Sequence, residues 1–212
     1  MLIHRHDQGS DVESRLLLAR HDFGQLIAAG AGRDVPVVVP THFVFDGEDR
    51  IAFHLAKPNP VWAAIDENPK VLFTVVADWT YVDTKMNANP GTDPDYGVPT
   101  SYYASVQAVC RAEILDDHDA TANVLMHQLR HFQPEGGHAV VTPGENPYGK
   151  QLRAIRGIVL HIEELRGKFK YGGNKSLEHR DSIESALRER DQPGDAAAAD
   201  HLRRRASYDS QS

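Results

Sequence analysis

The 212-residue chain has a single cysteine, Cys110. No internal disulfide can form, and the sequence suits a reducing compartment. It also lacks positive charge. Its 23 Lys and Arg face 30 Asp and Glu, a formal net charge of −7, whereas a nucleic-acid footprint needs a basic face. No apolar run is long enough to span a bilayer, and the opening MLIHRHDQGSD turns polar after three residues, unlike a secretory leader. Glycine motifs are poor as well. Gly30-Ala31-Gly32 lacks the third glycine and the following helix of a dinucleotide loop and reads as a turn. There is no phosphate loop and no nucleophile elbow. These absences lead to the expectation of a cytoplasmic protein that binds neither membrane nor DNA.

With 41% hydrophobic residues the chain can bury an ordinary core, and one domain is expected over 1–206, with 207–212 a disordered tail. Ser10 or Asp11 caps a helix to Arg20, with Val12, Leu16 and Leu17 at helical spacing. Strands are expected over Phe23–Ala29, Val35–Phe45 (broken by Pro36 and Pro40), Ile51–Ala56, Val71–Val82, Thr100–Leu115 and Gly157–Leu165. Asp46-Gly47 turns the second strand into the third. Residues 83–99 and 133–148, dense in Asn, Gly and Pro, read as irregular loops. Asp119–Phe132 reads as a helix with Leu125, Leu129 and Phe132 inward. GKFKYGGNK reads as a basic loop before a helix with Asp181 and Glu184 at capping-box spacing. Mixed strand spacing with peripheral helices implies an α+β, mostly antiparallel small barrel.

The stretch IAFHLAKPNPVW, Ile51–Trp62, carries the most chemistry. Strand side chains alternate, so Ile51, Phe53 and Leu55 form a core face while Ala52, His54 and Ala56 form a shallow floor. Asn59 stands at a helix N-cap and Pro60 at the first helical position. The N–H groups of Val61, Trp62 and Ala63, with Lys57 beside them, could face an anionic group. The alternatives for His54 are a half-buried histidine at the sheet edge and a residue of a cofactor site. Cys110, between Val109 and Arg111, reads as buried structure. His127 and His131 have metal-ligand spacing without HExxH and read as a solvated helix face. His4 and His6 fall in a loose terminus, and Arg203–Arg205 in a solvated helix end.

The order FVFDGEDRIAFHLAKPNPVW, VPTSYYASVQ and IRGIVLHIEELRGKFKYGGNK resembles the PaiB-like family, labelled FMN-binding negative transcriptional regulators. Its specific segments are His54–Pro60, Val98–Tyr103 and Gly167–Lys170. The resemblance implies an FMN-binding split barrel that forms a homodimer with cofactor sites at its interface. The sequence departs from the family pattern at Lys57 (usually Arg), at Asp83–Asn87 (usually SPSWY), at Ser101-Tyr102 (usually Trp-Asn) and at Gln107 (usually His). VPTSYYASVQ together with HFQPEGGH resembles the branch of heme-dependent piperazate synthases, which close N5-hydroxy-L-ornithine into L-piperazic acid.

That branch implies heme b, with FMN as the alternative. Heme needs an axial ligand, a planar pocket and cations for two propionates. His54 is the expected iron ligand, with His42 the next candidate. Lys57, Lys168 and Lys170 are the expected cations, and Asn59 and Trp62 are expected to flank the cofactor. Ring closure needs a base to free the α-nitrogen and a polarised N–O bond. Lys85 and Lys57 are candidates for the base, with Tyr81, Tyr102 and Gln107 as polar orienters. The competing expectation is an FMN-binding reductase or regulator.

Overall fold

The computed structural model describes residues 1–209, with side chains described through Arg205. Alternating apolar positions build seven strands: β1 (Phe23–Ala28), β2 (Val37–His42), β3 (Val44–Phe45), β4 (Arg50–Ala56), β5 (Lys70–Val82), β6 (Thr100–Leu115) and β7 (Ile155–Lys170). They form one open sheet in the order β2-β1-β5-β6-β7-β4-β3. β1 pairs antiparallel with β2 and β5, and β4 with β3 and β7. The expected α+β, antiparallel architecture is observed. No helix among the described residues is long and apolar enough to cross a membrane.

The residues gather into two compact units, each described on its own. One comprises Met1–Glu13, Val76–Val106 and the chain from Gly167 onward; the other comprises Ser14–Val75 and Gln107–Arg166. They are called the first and second unit below.

The second unit holds an aromatic core. Phe43, Phe53 and Phe73 are almost fully buried, with Phe43 edge-on to Phe73 at 4.9 Å and Phe53 5.7 Å from it. Such pairs add to area burial because ring edges and faces carry opposite partial charge. The Asp46-Gly47 turn does what the sequence implied. Asp46 Oδ1 accepts the N–H groups of Glu48 and Arg50, and Gly47 takes a φ of 91° that a side chain would disfavour. Helix α4 (His118–Phe132) lies against β4 and β3, capped by Asp117, which accepts the Ala120 N–H. Its buried residues include Ala122, Val124 and Gln128, while Phe132 stays exposed. A shorter helix, α2 (Val61–Glu67), packs on β1 and β2.

In the first unit several expectations change. Helix α1 (Asp11–Arg20), whose residues from Ser14 on belong to the second unit, opens with a reciprocal capping box between Ser10 and Glu13, but Leu17 and Leu18 are buried, not Val12 and Leu16. Residues 83–99, expected to be irregular, contain helix α3 (Thr84–Asn87) and a 3-10 turn (Pro94–Tyr96). Asp83 and Asp93 cap them by accepting the N–H groups of Met86 and Asp95. Gly167–Lys170, expected as loop, is the end of β7. The helix expected to start near Asp181 is α6 (Leu177–Arg190), capped by Ser176. After a turn through Asp191 and Gly194, both at positive φ, a separate helix α7 (Asp195–Asp209) packs on α6. It runs into the stretch expected as a tail, and residues 210–212 lie outside the described residues.

Candidate functional site

The floor built by β4 in the second unit has the expected shape. Ala52 and Ala56 flank His54, and Gly157 of β7 stands directly opposite it, so the paired β7 position puts no side chain beside the imidazole. Helix α4 occupies this face. Gln128 Oε1 lies 2.5 Å from His54 Nδ1, and Gln128 Nε2 donates to the His42 carbonyl at 3.4 Å. With the Gln128 amide nitrogen directed to a carbonyl, its oxygen faces the ring and accepts from Nδ1, which leaves Nε2 outside this hydrogen bond. Thr121 Oγ1 accepts the Gly157 N–H.

The turn after β4 satisfies itself. Asn59 Oδ1 accepts the Val61 N–H at 3.0 Å, and the Asn59 carbonyl accepts from Trp62. Two of the three N–H groups expected to meet an anion are therefore engaged, a correction to that part of the sequence reading. Trp62 is buried, donates its indole N–H to the Ala56 carbonyl at 2.9 Å and carries Arg156 on its ring at 5.1 Å. Lys57 is exposed, and Gln107 is half-buried on β6. His42, the second candidate ligand, sits edge-on between Phe23 and Phe132.

The first unit holds a cavity of about 460 Å³. The entry to β6 supplies Val98, Pro99, Thr100 and Tyr102, and the turn after β7 supplies Lys170, Gly172, Asn174 and Lys175. Asn87 closes one side, and His4, His6 and Asp7 form another. Two segments carrying the family resemblance thus meet in space. Among the expected site residues, Tyr102 and Lys170 are brought together here. Tyr81 and Lys85 are exposed and outside the lining. Lys168 is nearly buried, donating to the Leu2 carbonyl at 2.9 Å with its ammonium 5.6 Å from the Tyr103 ring centre.

The cavity has two lysines in its lining, Lys170 and Lys175. Lys170 Nζ donates to Thr100 Oγ1 at 2.6 Å. Burial pulls the Lys175 ammonium below its ordinary range, because a charge is poorly solvated there. His179, behind this turn and 3% exposed, is lowered by burial and then by the Lys175 charge. Burial pushes the Tyr102 phenol well above its ordinary value, so it stays protonated as a donor. Tyr102 is 1% exposed, yet its hydroxyl has no hydrogen-bond partner, and neither does Asn87 Oδ1. The Asn87 amide N–H donates to the Val98 carbonyl. Gly172 has a φ of 66°, and a Cβ there would stand 2.6 Å from the Tyr102 hydroxyl, so glycine alone keeps that oxygen clear.

The sequence reading missed His4, His6, Asn87 and Lys175. The signal for Lys175 was the Gly172-Gly173 pair, a tight turn that brings backbone and lysine to the cavity. Nothing in the sequence signalled the N-terminal histidines. Among the described residues no group of three His, Cys, Asp or Glu could hold a bare metal ion. Cys110 is buried, its thiol pushed up to about 12 by burial and by Glu163.

Comparison with curated proteins gives no match. Solved structures of similar fold include the flavocytochrome Anf3 from Azotobacter vinelandii, 20% identical over 80% of this chain and 73% of that one, with a TM-score of 0.60. The FAD and heme binding protein from Mycobacterium smegmatis is 19% identical over 82% of this chain and 78% of that one, with a TM-score of 0.59. At these identities the likeness shows the fold, which is the split barrel expected from the sequence. The model of the family described as "Putative FMN-binding domain" matches residues 1–164, most of the chain, and the chain belongs to that FMN-binding family.

Proposed function

We propose that this chain is a flavin-binding redox protein and that the first-unit cavity holds the FMN. One observation carries the reading: the cavity joins two lysines to two buried polar atoms, Tyr102 Oη and Asn87 Oδ1, that have no partner. An unsatisfied buried polar group costs about 1–3 kcal/mol, and a ligand that bonds to it offsets that cost. FMN fits the chemistry, with a phosphate for the lysines and a ring edge of carbonyl and N–H groups for the hydroxyl and amide.

A bound flavin would supply hydride or one-electron transfer. The chain's own residues bind and orient. Thr100 fixes the Lys170 ammonium through their 2.6 Å hydrogen bond. Arg180 clamps the turn, donating to the Lys175 carbonyl at 3.0 Å and the Gly173 carbonyl at 3.3 Å. Lys175 lines the same cavity as Lys170, so its ammonium, disfavoured by burial while the cavity is unpaired, gains a partner when it faces a phosphate. Val76, Trp79 and Tyr81 of β5 are exposed, and a second copy of the chain is the proposed cover. Sedimentation at micromolar concentration should give a homodimer.

The test is reconstitution of purified protein with FMN. The expected result is a flavin absorption doublet retained through desalting, lost when Lys170 and Lys175 are both changed to Ala. Protein that retains no flavin would overturn the reading.

A second reading has its own observation. His54 is anchored at Nδ1 by Gln128 while Nε2 is outside that hydrogen bond, the arrangement of metal-bound histidines whose other nitrogen is anchored. Of the structures of similar fold, one is a flavocytochrome and another is an FAD and heme binding protein. On this reading the protein is a heme-dependent cyclase that eliminates water from N5-hydroxy-L-ornithine to give L-piperazic acid, with His54 the iron ligand and Lys57 or Lys85 the base. The cover of α4 over the His54 face ranks it second. A Soret band that vanishes in His54→Ala, with ring closure lost alongside it, would put it first.

A further inference from the structure

We infer that the segment His4–Asp7 is the phosphate-recognition element of the first-unit cavity, with His4 and His6 contacting the ligand; this rests on the flavin reading of that cavity. The segment is held in place by contacts with β7 and α7. Gln8 pairs with Lys168 in a β-bridge, and the Gly9 N–H donates to the Gly167 carbonyl at 3.0 Å. Lys168 Nζ donates to the Leu2 carbonyl at 2.9 Å, while Arg205 donates to the carbonyls of His6 and Gln8 at 3.5 and 3.3 Å. The fit is tight. A Cβ at Gly9 would stand 2.3 Å from the Phe169 ring, and one at Gly173 would stand 2.1 Å from the His6 carbonyl oxygen.

Burial does not explain this anchoring. Met1 and Leu2 are 48% and 71% exposed, so the segment gains little hydrophobic stabilisation for the entropy it loses on ordering. Its position instead brings two imidazoles to the rim of the cavity, stacked 5.3 Å apart with their planes 9° from parallel.

Charge says what they are for. The lining holds two ammonium groups, Lys170 and Lys175, and one carboxylate, Asp7, which is 4% exposed and 3.8 Å from His6. The fixed charges leave one net positive charge, one short of a phosphate monoester dianion. His4 and His6 are the other groups in the lining able to become cations, and an imidazole N–H donates to phosphate oxygen in either protonation state. A ligand that ends in a neutral hydroxyl has no use for them. The pair therefore distinguishes FMN from riboflavin.

The experiment is a fluorescence titration of the full-length protein and of the double variant His4→Ala/His6→Ala with FMN and, separately, with riboflavin. Wild type should prefer FMN, and the variant should bind FMN about tenfold more weakly while its riboflavin affinity is unchanged, the size of one charge-assisted hydrogen bond. His4→Gln/His6→Gln keeps N–H donors and should recover part of the lost preference, which also shows that the loss is not one of folding. An unchanged FMN-to-riboflavin ratio in the alanine variant, or an equal loss for both ligands, would overturn the inference while leaving the cavity a flavin site. Wild type that binds neither flavin would overturn the flavin reading itself.

Discussion

In the second unit His54, Asn59, Trp62 and Gln128 each have a hydrogen-bond partner within the chain. In the first unit Tyr102 Oη, Asn87 Oδ1 and His179 Nε2 are buried without one. Both regions contain residues that family resemblance marks for cofactor binding, and both have the right residue types. The difference is what the fold leaves to be satisfied. Buried polar atoms are nearly always paired, so the unpaired Tyr102 Oη and Asn87 Oδ1 at one cavity are what the proposed flavin would satisfy. A satisfied cluster such as the His54 turn works already as structure, whatever else it does.

The largest expected effect would break this comparison outright. Replacing both Lys170 and Lys175 with Ala should weaken FMN binding about 100-fold or more, since hydrogen bonds to charged groups contribute about 1.5–3 kcal/mol each. In the same calorimetric titration His54→Ala should leave FMN affinity within about twofold. Equal losses would remove the distinction drawn between the two regions.

Next in size is the salt bridge that closes the first unit. Burial alone would raise the Asp195 carboxyl, but hydrogen bonds from Arg190, Thr80 and the Gln192 N–H hold it at about 2. A carboxyl depressed from 3.8 in this way contributes about 2 kcal/mol of stability above pH 4, lost as pH falls through 2. Acid titration of unfolding should show this limb in wild type and its loss in Asp195→Asn. A pH-independent difference between the two would refute the linkage.

Tyr102→Phe sharpens the comparison through opposite signs. Removing an unpaired buried hydroxyl should stabilise the ligand-free protein by about 1 kcal/mol and weaken FMN binding several-fold. Urea unfolding and FMN titration of one variant test both halves, and a destabilised ligand-free protein would show that the hydroxyl is satisfied after all. Gln128→Ala, by contrast, should destabilise the protein by about 1 kcal/mol through loss of the His54 hydrogen bond, with FMN affinity unmoved. The smallest effect concerns Cys110, whose thiol is pushed up to about 12 by burial. It should resist iodoacetamide at pH 8 in native protein and react once unfolded.

The sequence by itself determined the strands and the hairpin, because their signals are local. Period-two alternation set Thr100–Leu115 to its observed ends, and Asp46-Gly47 supplied the backbone that a tight turn demands. Ser10 was legible as one of two candidate caps for α1, and it is the one that accepts the Glu13 N–H, whereas the cap at Ser176 was missed because Asp181 and Glu184 also have capping-box spacing. Only the tertiary structure decided the candidate site. His4 and Lys175 are 171 residues apart in the chain, and no periodicity links them; a β-bridge and two glycine contacts bring them to one cavity. Likewise the sequence could place His54 between two alanines, but α4, more than sixty residues further on, decided that Gln128 would cover it. Which polar groups end up paired depends on elements distant in the chain, and that pairing decides where a ligand is needed.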